Sequence, residues 1–103
     1  KNINYSENVK SYCKTNNIKV RIIKIGDLKQ ILSTNSIAII GTDKILSNGS
    51  VINGYPSLSL AKACHCKIPF YALGESFKRD DSIAIEEGFE LIPQKYINEI
   101  ITD

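Results

Sequence analysis

Short apolar runs separated by polar turn residues divide the chain into alternating strand-like and helix-like segments. Residues 37–40 are four consecutive apolar side chains between a Ser-Thr-Asn-Ser segment and Gly41, and such a run predicts a buried parallel strand. Residues 69–73 predict a second buried strand. The strict alternation that begins at residue 18 predicts a strand over 18–25, and a short strand is predicted over 89–92.

Helical periodicity lies between these predicted strands. Residues 4–15 predict a helix, and 56–66 predict a second helix that begins at a proline. The cap and the apolar stripe predicted for the first helix are Asn4, Tyr5, Val9, Tyr12 and Cys13. A short helix is predicted over 27–32. Residues 97–102 fit either a last strand or a short helix.

The composition adds a fold class to this pattern. The chain has 18 Ile and only 7 Leu, a bias that favours buried strands because β-branched side chains pack well on a pleated surface. Strands that alternate with helices predict an α/β fold with a mainly parallel sheet. A length of 103 residues is sufficient for one such domain.

Charge and cysteine usage narrow the classes of partner. The net charge is only +2, and the basic residues are not clustered, so direct nucleic-acid binding is not expected. No apolar run is long enough for a membrane span and no secretory signal pattern is present, so a cytoplasmic protein is expected. Cys64-His65-Cys66 lacks the second ligand pair of a tetrahedral site, so neither a metal nor another cofactor is expected.

Two features point to a ligand site where the predicted parallel strands end. Asp43 follows the strand at 37–40, and ligands bind open α/β sheets at the carboxyl ends of their strands. The start of the predicted helix at 54–59 offers free N–H groups and the positive end of the helix dipole to an anion. Asp43 could instead cap the turn that follows it, and the helix could be an ordinary capped helix.

The same region carries a series of motifs in a recognisable order. They are Gly41-Thr-Asp43-Lys-Ile, Asn48-Gly49, Asn53, Leu60-Ala61, Pro69-Phe-Tyr71, Glu75-Ser-Phe-Lys78 and a closing segment from Ile92 to Asp103. In order and spacing they resemble the C-terminal half of the translation initiation factor 2B alpha/beta/delta family. This family includes methylthioribose-1-phosphate isomerase and ribose-1,5-bisphosphate isomerase, and the chain is most similar to the alpha-type subunit.

The resemblance implies a three-layer Rossmann-like domain over residues 1–103, without the first strand and the helical N-terminal domain of the family. It implies that Asp43 transfers protons if the chain is an isomerase. The ligand-binding positions that it implies are Asp43, Asn53, Gly54, Ser57 and Lys78. The chain departs from the isomerase pattern at Gly54, where the isomerases carry lysine, and at Pro56-Ser57, where they carry Gly-Thr. The cysteine that the isomerases use in a Thr-Gly context has no counterpart in this sequence.

These departures separate two functional hypotheses. The first is a non-enzymatic initiation factor 2B subunit that acts through assembly, as a homodimer or with related subunits, and with translation initiation factor 2. A sugar phosphate or a nucleotide is its candidate small ligand. The alternative is an aldose-ketose isomerase of ribose 1,5-bisphosphate or methylthioribose 1-phosphate. The missing lysine and cysteine favour the first hypothesis, because proton transfer and phosphate binding need such groups.

Overall fold

The computed structural model describes residues 3–82 and 84–103, with side chains from Ser6 onward. Its elements follow in the order α1 (Ile3–Thr15), β1 (Ala38–Gly41), β2 (Lys44–Ile45), β3 (Val51–Gly54), α2 (Ser57–Cys64), β4 (Phe70–Leu73), β5 (Phe89–Ile92) and β6 (Glu99–Ile101). Short 3-10 turns lie at Ile25–Gln30, Ser76–Lys78 and Gln94–Tyr96. The predicted α/β fold with a parallel sheet is confirmed.

A three-stranded parallel sheet of order β1-β4-β6 forms the framework of the domain. Its last residues are in register, because Gly41 pairs with Leu73 and Leu73 pairs with Ile101. We call the edge where these strands end the carboxyl edge, and the edge where they begin the amino edge. Residues 97–102, which fit a strand or a helix by sequence, contain strand β6.

A second sheet of order β2-β3-β5 is antiparallel, and strands β2 and β3 were not predicted. Their hairpin turns at Asn48-Gly49, a pair that favours a type I′ turn with positive φ at both residues. That turn type does not form here, because of the two only Gly49 has a positive φ, of 88°. The N–H of Gly49 instead donates to the carbonyl of Leu46 and the N–H of Leu46 to the carbonyl of Ser50, a three-residue loop that closes on a left-handed glycine.

The core lies between one face of the parallel sheet, helix α2 and the antiparallel sheet. Its members are Ala38, Ile40, Ile45, Val51, Ala61, Cys64, Ile68, Phe70, Ala72 and Ile92. The strand predicted as fully buried is therefore buried on one side only: Ala38 and Ile40 enter the core, whereas Ile39 points outward and is 55% exposed. Leu73 and Ile101 lie on the same outer face and are 42% and 49% exposed.

The strand predicted over 18–25 does not form. The chain runs there without regular structure into the 3-10 turn Ile25–Gln30, which replaces the helix predicted over 27–32. Ile18 and Ile22 are 50% and 49% exposed, because none of the strands in residues 3–82 and 84–103 pairs with this segment. Alternation alone cannot make a strand when its ladder has no partner.

The two helices differ in how they pack. Helix α1 matches its prediction in extent, but none of its residues 6–15 is buried, and the side chains of Asn4 and Tyr5 lie outside the described part of the chain. Helix α2 buries Ser57, Ala61 and Cys64 against the core. It is shorter than the predicted 56–66, since Pro56 precedes the first helical residue and His65 follows the last one.

Candidate functional site

Three acidic residues lie in a row at the carboxyl edge of the parallel sheet. Asp43, Glu75 and Asp103 each stand two residues beyond the last residue of their strand, and those last residues are in register. The loops of this edge add Asp80, Asp81, Glu86 and Glu87. The same segments also carry Lys44, Lys78 and Arg79, so acidic side chains outnumber basic ones where the sequence predicts a phosphate ligand.

Asp43 lines a cavity of about 230 Å³ together with Lys44, Ile52, Ala84, Glu86 and Phe89. Its backbone N–H donates to the carbonyl of Ile52 at 2.7 Å, and this bond fixes the residue against strand β3. The carboxylate of Asp43 is exposed and bonds to none of the described residues, so it does not cap the following turn. Geometry leaves it free to meet a ligand.

Lys78 lies beside the same segment. Its Nζ donates to the carbonyl of Thr42 at 3.2 Å and lies 3.9 Å from the carboxylate of Glu75. The hydroxyl of Thr42 in turn donates to the carbonyl of Leu73 at 3.2 Å, which joins the ends of strands β1 and β4. Lys78, one of the implied ligand-binding positions, therefore lies next to the chain at Asp43, but its charge faces an internal partner.

The start of helix α2 already holds a carboxylate of the protein itself. Glu90 Oε1 accepts the backbone N–H of Leu58 at 2.9 Å. The side chain of Asn53 donates to the hydroxyl of Ser57 at 2.9 Å, so two of the predicted ligand-binding residues bond to each other. Gly54 lies between them in the sequence, where it ends strand β3. The N–H groups and the dipole that would attract an anion here thus already face the negative charge of Glu90.

A loop of the carboxyl edge is bonded to the antiparallel sheet next to the Asp43 cavity. Lys44 Nζ donates to the hydroxyl of Ser82 at 2.8 Å and lies 3.9 Å from Asp80, while Asp81 accepts the N–H of Ser47 at 2.9 Å. The backbone N–H of Ser82, and then its hydroxyl, hold the pKa of Asp80 below its usual value. The backbone N–H of Ser76 acts in the same direction on the pKa of Asp103.

The cysteines form no metal centre within the described part of the chain. Cys64 is buried, which raises the pKa of its thiol, whereas Cys66 is exposed. Among residues 3–82 and 84–103 there is no group of three His, Cys, Asp or Glu side chains placed to hold a metal ion. The described helices also include none that is long and apolar enough to cross a membrane.

The five predicted ligand-binding positions thus form three local groups. Asp43 lines its cavity, Lys78 bonds to the residue before Asp43, and Asn53, Gly54 and Ser57 stand at the start of α2. Sequence reasoning did not find Glu90. The only signal for it is the pairing of Glu90 with Asn53 across strands β3 and β5, a contact between distant positions of the chain.

Fold and site together define an α/β domain that carries its candidate ligand residues at the carboxyl edge of the parallel sheet and at the start of α2. Residues 6–92 match the Initiation factor 2 subunit family. The chain belongs to this family.

Known relatives agree with that assignment. The chain is 34% identical over 87 residues to a translation initiation factor eIF-2B subunit 2-like protein of Pyrococcus horikoshii. The match covers 66% of this chain and 32% of the relative, so the chain spans about a third of the relative's length.

Two solved structures share the fold. One is the tetrameric eIF2B-beta2-delta2 complex of C. thermophilum, with a TM-score of 0.80 and 16% identity over 92% of this chain and 37% of the other. The other is 5-methylthioribose 1-phosphate isomerase from Pyrococcus horikoshii, with a TM-score of 0.74 and 24% identity over 82% of this chain and 33% of the other. At these identities the likeness establishes the fold and leaves the activity open.

Proposed function

We propose that this chain is a regulatory or assembly domain of the initiation factor 2B type, which acts in the cytoplasm through association with a second copy or with related subunits. Translation initiation factor 2 is the further partner that this role would involve. The observation that carries the proposal is the uncovered outer face of the parallel sheet, where Ile39, Leu73 and Ile101 are exposed together.

That face has the properties of an interaction surface. Ile39 lies opposite the half-buried Tyr71 across strands β1 and β4, and Leu73 lies opposite Ile101 across β4 and β6. The four side chains therefore share one face of the sheet, with Glu99 opposite Tyr71 as its charged neighbour, and exposed apolar patches are typical of protein–protein contacts. A solved relative of the same fold is a complex of several subunits, which supports association as the mode of action.

The start of α2 weighs against phosphate-dependent catalysis. An isomerase must hold the phosphate of its substrate, yet Glu90 occupies the N–H of Leu58 and position 54 carries no positive charge. A dianionic phosphate placed there would be repelled by the carboxylate. If a sugar phosphate or nucleotide binds in this cleft, we expect its affinity to be low.

The oligomeric state tests the proposal. Light scattering coupled to size exclusion at micromolar concentration should give the mass of a dimer for the natural chain. Ile39→Lys places a charge on the apolar face and should shift the protein to a monomer. The matched control is Ile22→Lys, which alters an isoleucine of similar exposure outside the sheet and should leave the dimer intact. The mass of a monomer at all concentrations, with no association to related subunits, would contradict the proposal.

Isomerase activity is the second candidate function, and the free carboxylate of Asp43 in its cavity is the observation that favours it. Incubation with methylthioribose 1-phosphate and with ribose 1,5-bisphosphate should give no turnover by this chain. If the natural chain turns over either substrate and Asp43→Asn abolishes this activity, the proposed assembly role is wrong and the chain is an isomerase. Asp81→Asn is a suitable control, because this aspartate lies in the same acidic edge but outside the cavity.

A further inference from the structure

A pocket of about 380 Å³ opens at the amino edge of the parallel sheet, away from the candidate site. Its walls are the loop between α2 and β4 and the 3-10 turn that precedes β6. The lining residues are His65, Cys66, Lys67, Ile68, Pro69, Lys95, Tyr96, Ile97 and Asn98. This volume lies within the range of small-molecule sites, roughly 300–1,000 Å³.

The pocket is basic and its charges are unpaired. Lys67 and Lys95 line it, His65 adds a third basic side chain, and no Asp or Glu is among the lining residues. Both ion pairs found among the described residues, Lys44 with Asp80 and Lys78 with Glu75, involve lysines near the opposite edge. Within the described chain, neither lysine of the pocket has a carboxylate within 4 Å.

Further donors point to a site rather than to scattered surface charge. Asn98 Oδ1 accepts the N–H of the buried Phe70 at 2.8 Å, which anchors the side chain and leaves its amide nitrogen available to donate. The rings of His65 and Tyr96 meet edge to face with centroids 5.0 Å apart and form an aromatic wall. Lys95 Nζ lies 5.1 Å from the centre of the Tyr96 ring.

The loop between α2 and β4 is held in place by backbone hydrogen bonds. The N–H groups of Lys67 and Ile68 both donate to the carbonyl of Cys64, at 2.8 and 3.1 Å. These bonds satisfy the last carbonyl of α2 and offset part of the negative potential at this end of the helix, and the full charges of the two lysines exceed the partial charge that remains. Cys66 has a φ of 62°, so the loop turns sharply between His65 and Lys67.

We propose that this amino-edge pocket binds a small molecule through its phosphate group. Two unpaired ammonium groups, with the Asn98 amide and the His65 ring as further donors, match the charge and the several acceptor oxygens of a phosphate dianion. The aromatic wall and the volume leave room for an attached organic part. The inference is independent of the assembly role, because it concerns the opposite end of the sheet strands from the candidate site and a different surface from the exposed sheet face.

An amide-resolved NMR titration of the full chain tests the proposal, with inorganic phosphate and glycerol 3-phosphate as probes. Saturable shifts are expected for residues 65–69 and 95–98 and not for the start of α2. If glycerol 3-phosphate binds more tightly than inorganic phosphate, the pocket takes an organic phosphate. If the two affinities are equal, the pocket takes the free phosphate ion. Either result at this pocket supports the proposal, whereas no saturable binding, or shifts centred on Asp43 and Leu58, would overturn it.

Two double variants with the same change in net charge test whether phosphate binds in this pocket. Lys67→Gln with Lys95→Gln should weaken phosphate binding by about tenfold or more, since two charge-assisted hydrogen bonds are lost. Lys10→Gln with Lys14→Gln changes the net charge equally on helix α1 and should leave the affinity within about twofold, because these exposed lysines do not line the pocket and solvent screens their charges. An equal loss in both double variants would mean that only net charge matters, and it would overturn the site.

A chemical measurement provides a second criterion on the natural chain. Cys66 is exposed and lines the pocket, whereas Cys13 lies on α1. Saturating glycerol 3-phosphate should slow alkylation of Cys66 and leave that of Cys13 unchanged, as measured by mass spectrometry. Unaltered alkylation of Cys66 under saturation would contradict occupancy of the pocket. Binding of a phosphoserine peptide with no binding of either small probe would overturn the assignment to a small molecule.

Discussion

The two edges of the parallel sheet carry opposite charge. They also differ in whether their lysines form ion pairs or hydrogen bonds within the protein. At the carboxyl edge, Asp43, Glu75 and Asp103 follow the three strands, and the lysines there are paired or bonded to backbone. At the amino edge, Lys67 and Lys95 line an open pocket that contains no acidic residue. The carboxyl edge has the topology of a ligand site, whereas the amino edge has the electrostatics of an anion site.

This difference shows how far topology alone can locate a ligand. The carboxyl ends of parallel strands and helix N-termini attract ligands because backbone dipoles and loops converge there. A single carboxylate bonded to that helix start, here Glu90, counteracts the partial positive charge on which the rule depends. Whether an anion binds is then decided by full charges, which this chain places at the other edge.

The largest expected effect concerns the tight packing of the carboxyl edge. A Cβ at Gly74 would overlap Thr42 Oγ1 and would also lie 3.3 Å from Thr42 Cβ and 3.4 Å from Ile45 Cδ1. Rotation of Thr42 would relieve only the first contact and would break its hydrogen bond to Leu73. We therefore expect Gly74→Ala to lower the free energy of unfolding by about 2–3 kcal/mol, measured by urea denaturation.

Gly26→Ala is the matched control for that substitution. No atom lies within 4 Å of a Cβ at Gly26, so this change should alter stability by less than about 1 kcal/mol. Equal effects of the two substitutions would show that the carboxyl edge is not closely packed at Gly74.

A smaller effect is expected when the charge at the start of α2 is reversed. Glu90→Gln keeps an acceptor for the N–H of Leu58 but removes the negative charge, at a cost of about 0.3–1 kcal/mol in stability. Gly54→Lys adds the missing positive charge, and a side chain fits there because the nearest atom to its Cβ, the carbonyl oxygen of Gly88, is 3.9 Å away. Together they should raise the affinity of glycerol 3-phosphate for the carboxyl edge by about tenfold.

NMR titration distinguishes this gain from binding at the amino edge, because the new shifts should appear at Leu58 and its neighbours. Glu99→Gln in place of Glu90→Gln is the control, since Glu99 lies on strand β6 and its removal changes net charge equally. If the Glu90 variant gains no affinity, the carboxylate at the helix start is not what excludes phosphate from this edge.

The comparison also separates what sequence could predict from what it could not. Strands β1, β4 and β5 and helix α2 were predicted because each has a local signature: an apolar run, a bounding glycine or a proline before a helix. The segment 18–25 has an equally clear signature, yet it forms no strand because pairing requires a neighbour that sequence periodicity does not reveal. Periodicity therefore indicated which segments could form strands, and pairing decided which of them do.

The candidate site shows the same limit. Asp43 was predicted because it follows a strand, and in the structure it is exposed and lines a cavity, while its role in binding a ligand stays a prediction. Glu90 could not be found, because its contact with Leu58 depends on the register of β5 against β3 across a long loop. The amino-edge pocket was also not predicted, since His65, Lys67 and Lys95 belong to segments about thirty positions apart that only the fold brings together.

The smallest expected effect is the response of the carboxyl edge to acid. The N–H and hydroxyl of Ser82, with a lesser contribution from Lys44, hold the pKa of Asp80 below its ordinary value of about 4. A lowered pKa in the folded state means that the ionised carboxylate stabilises the loop at all pH values above about 4 and that this contribution is lost as the pH falls below it. Hydrogen exchange of the Ser82 amide, followed by NMR between about pH 6 and about pH 3 and corrected for intrinsic rates, should therefore show loss of protection in the acid range. Asp80→Asn, which keeps the acceptor oxygen without the charge, should remove most of this pH dependence.

The amides of Lys67 and Ile68 provide the comparison, because they donate to the carbonyl of Cys64 in a pocket lined by no carboxylate. Their protection should stay constant over the same pH range. Parallel loss at both places would show that acid unfolds the domain as a whole, and the difference between the two edges would then not extend to their stability.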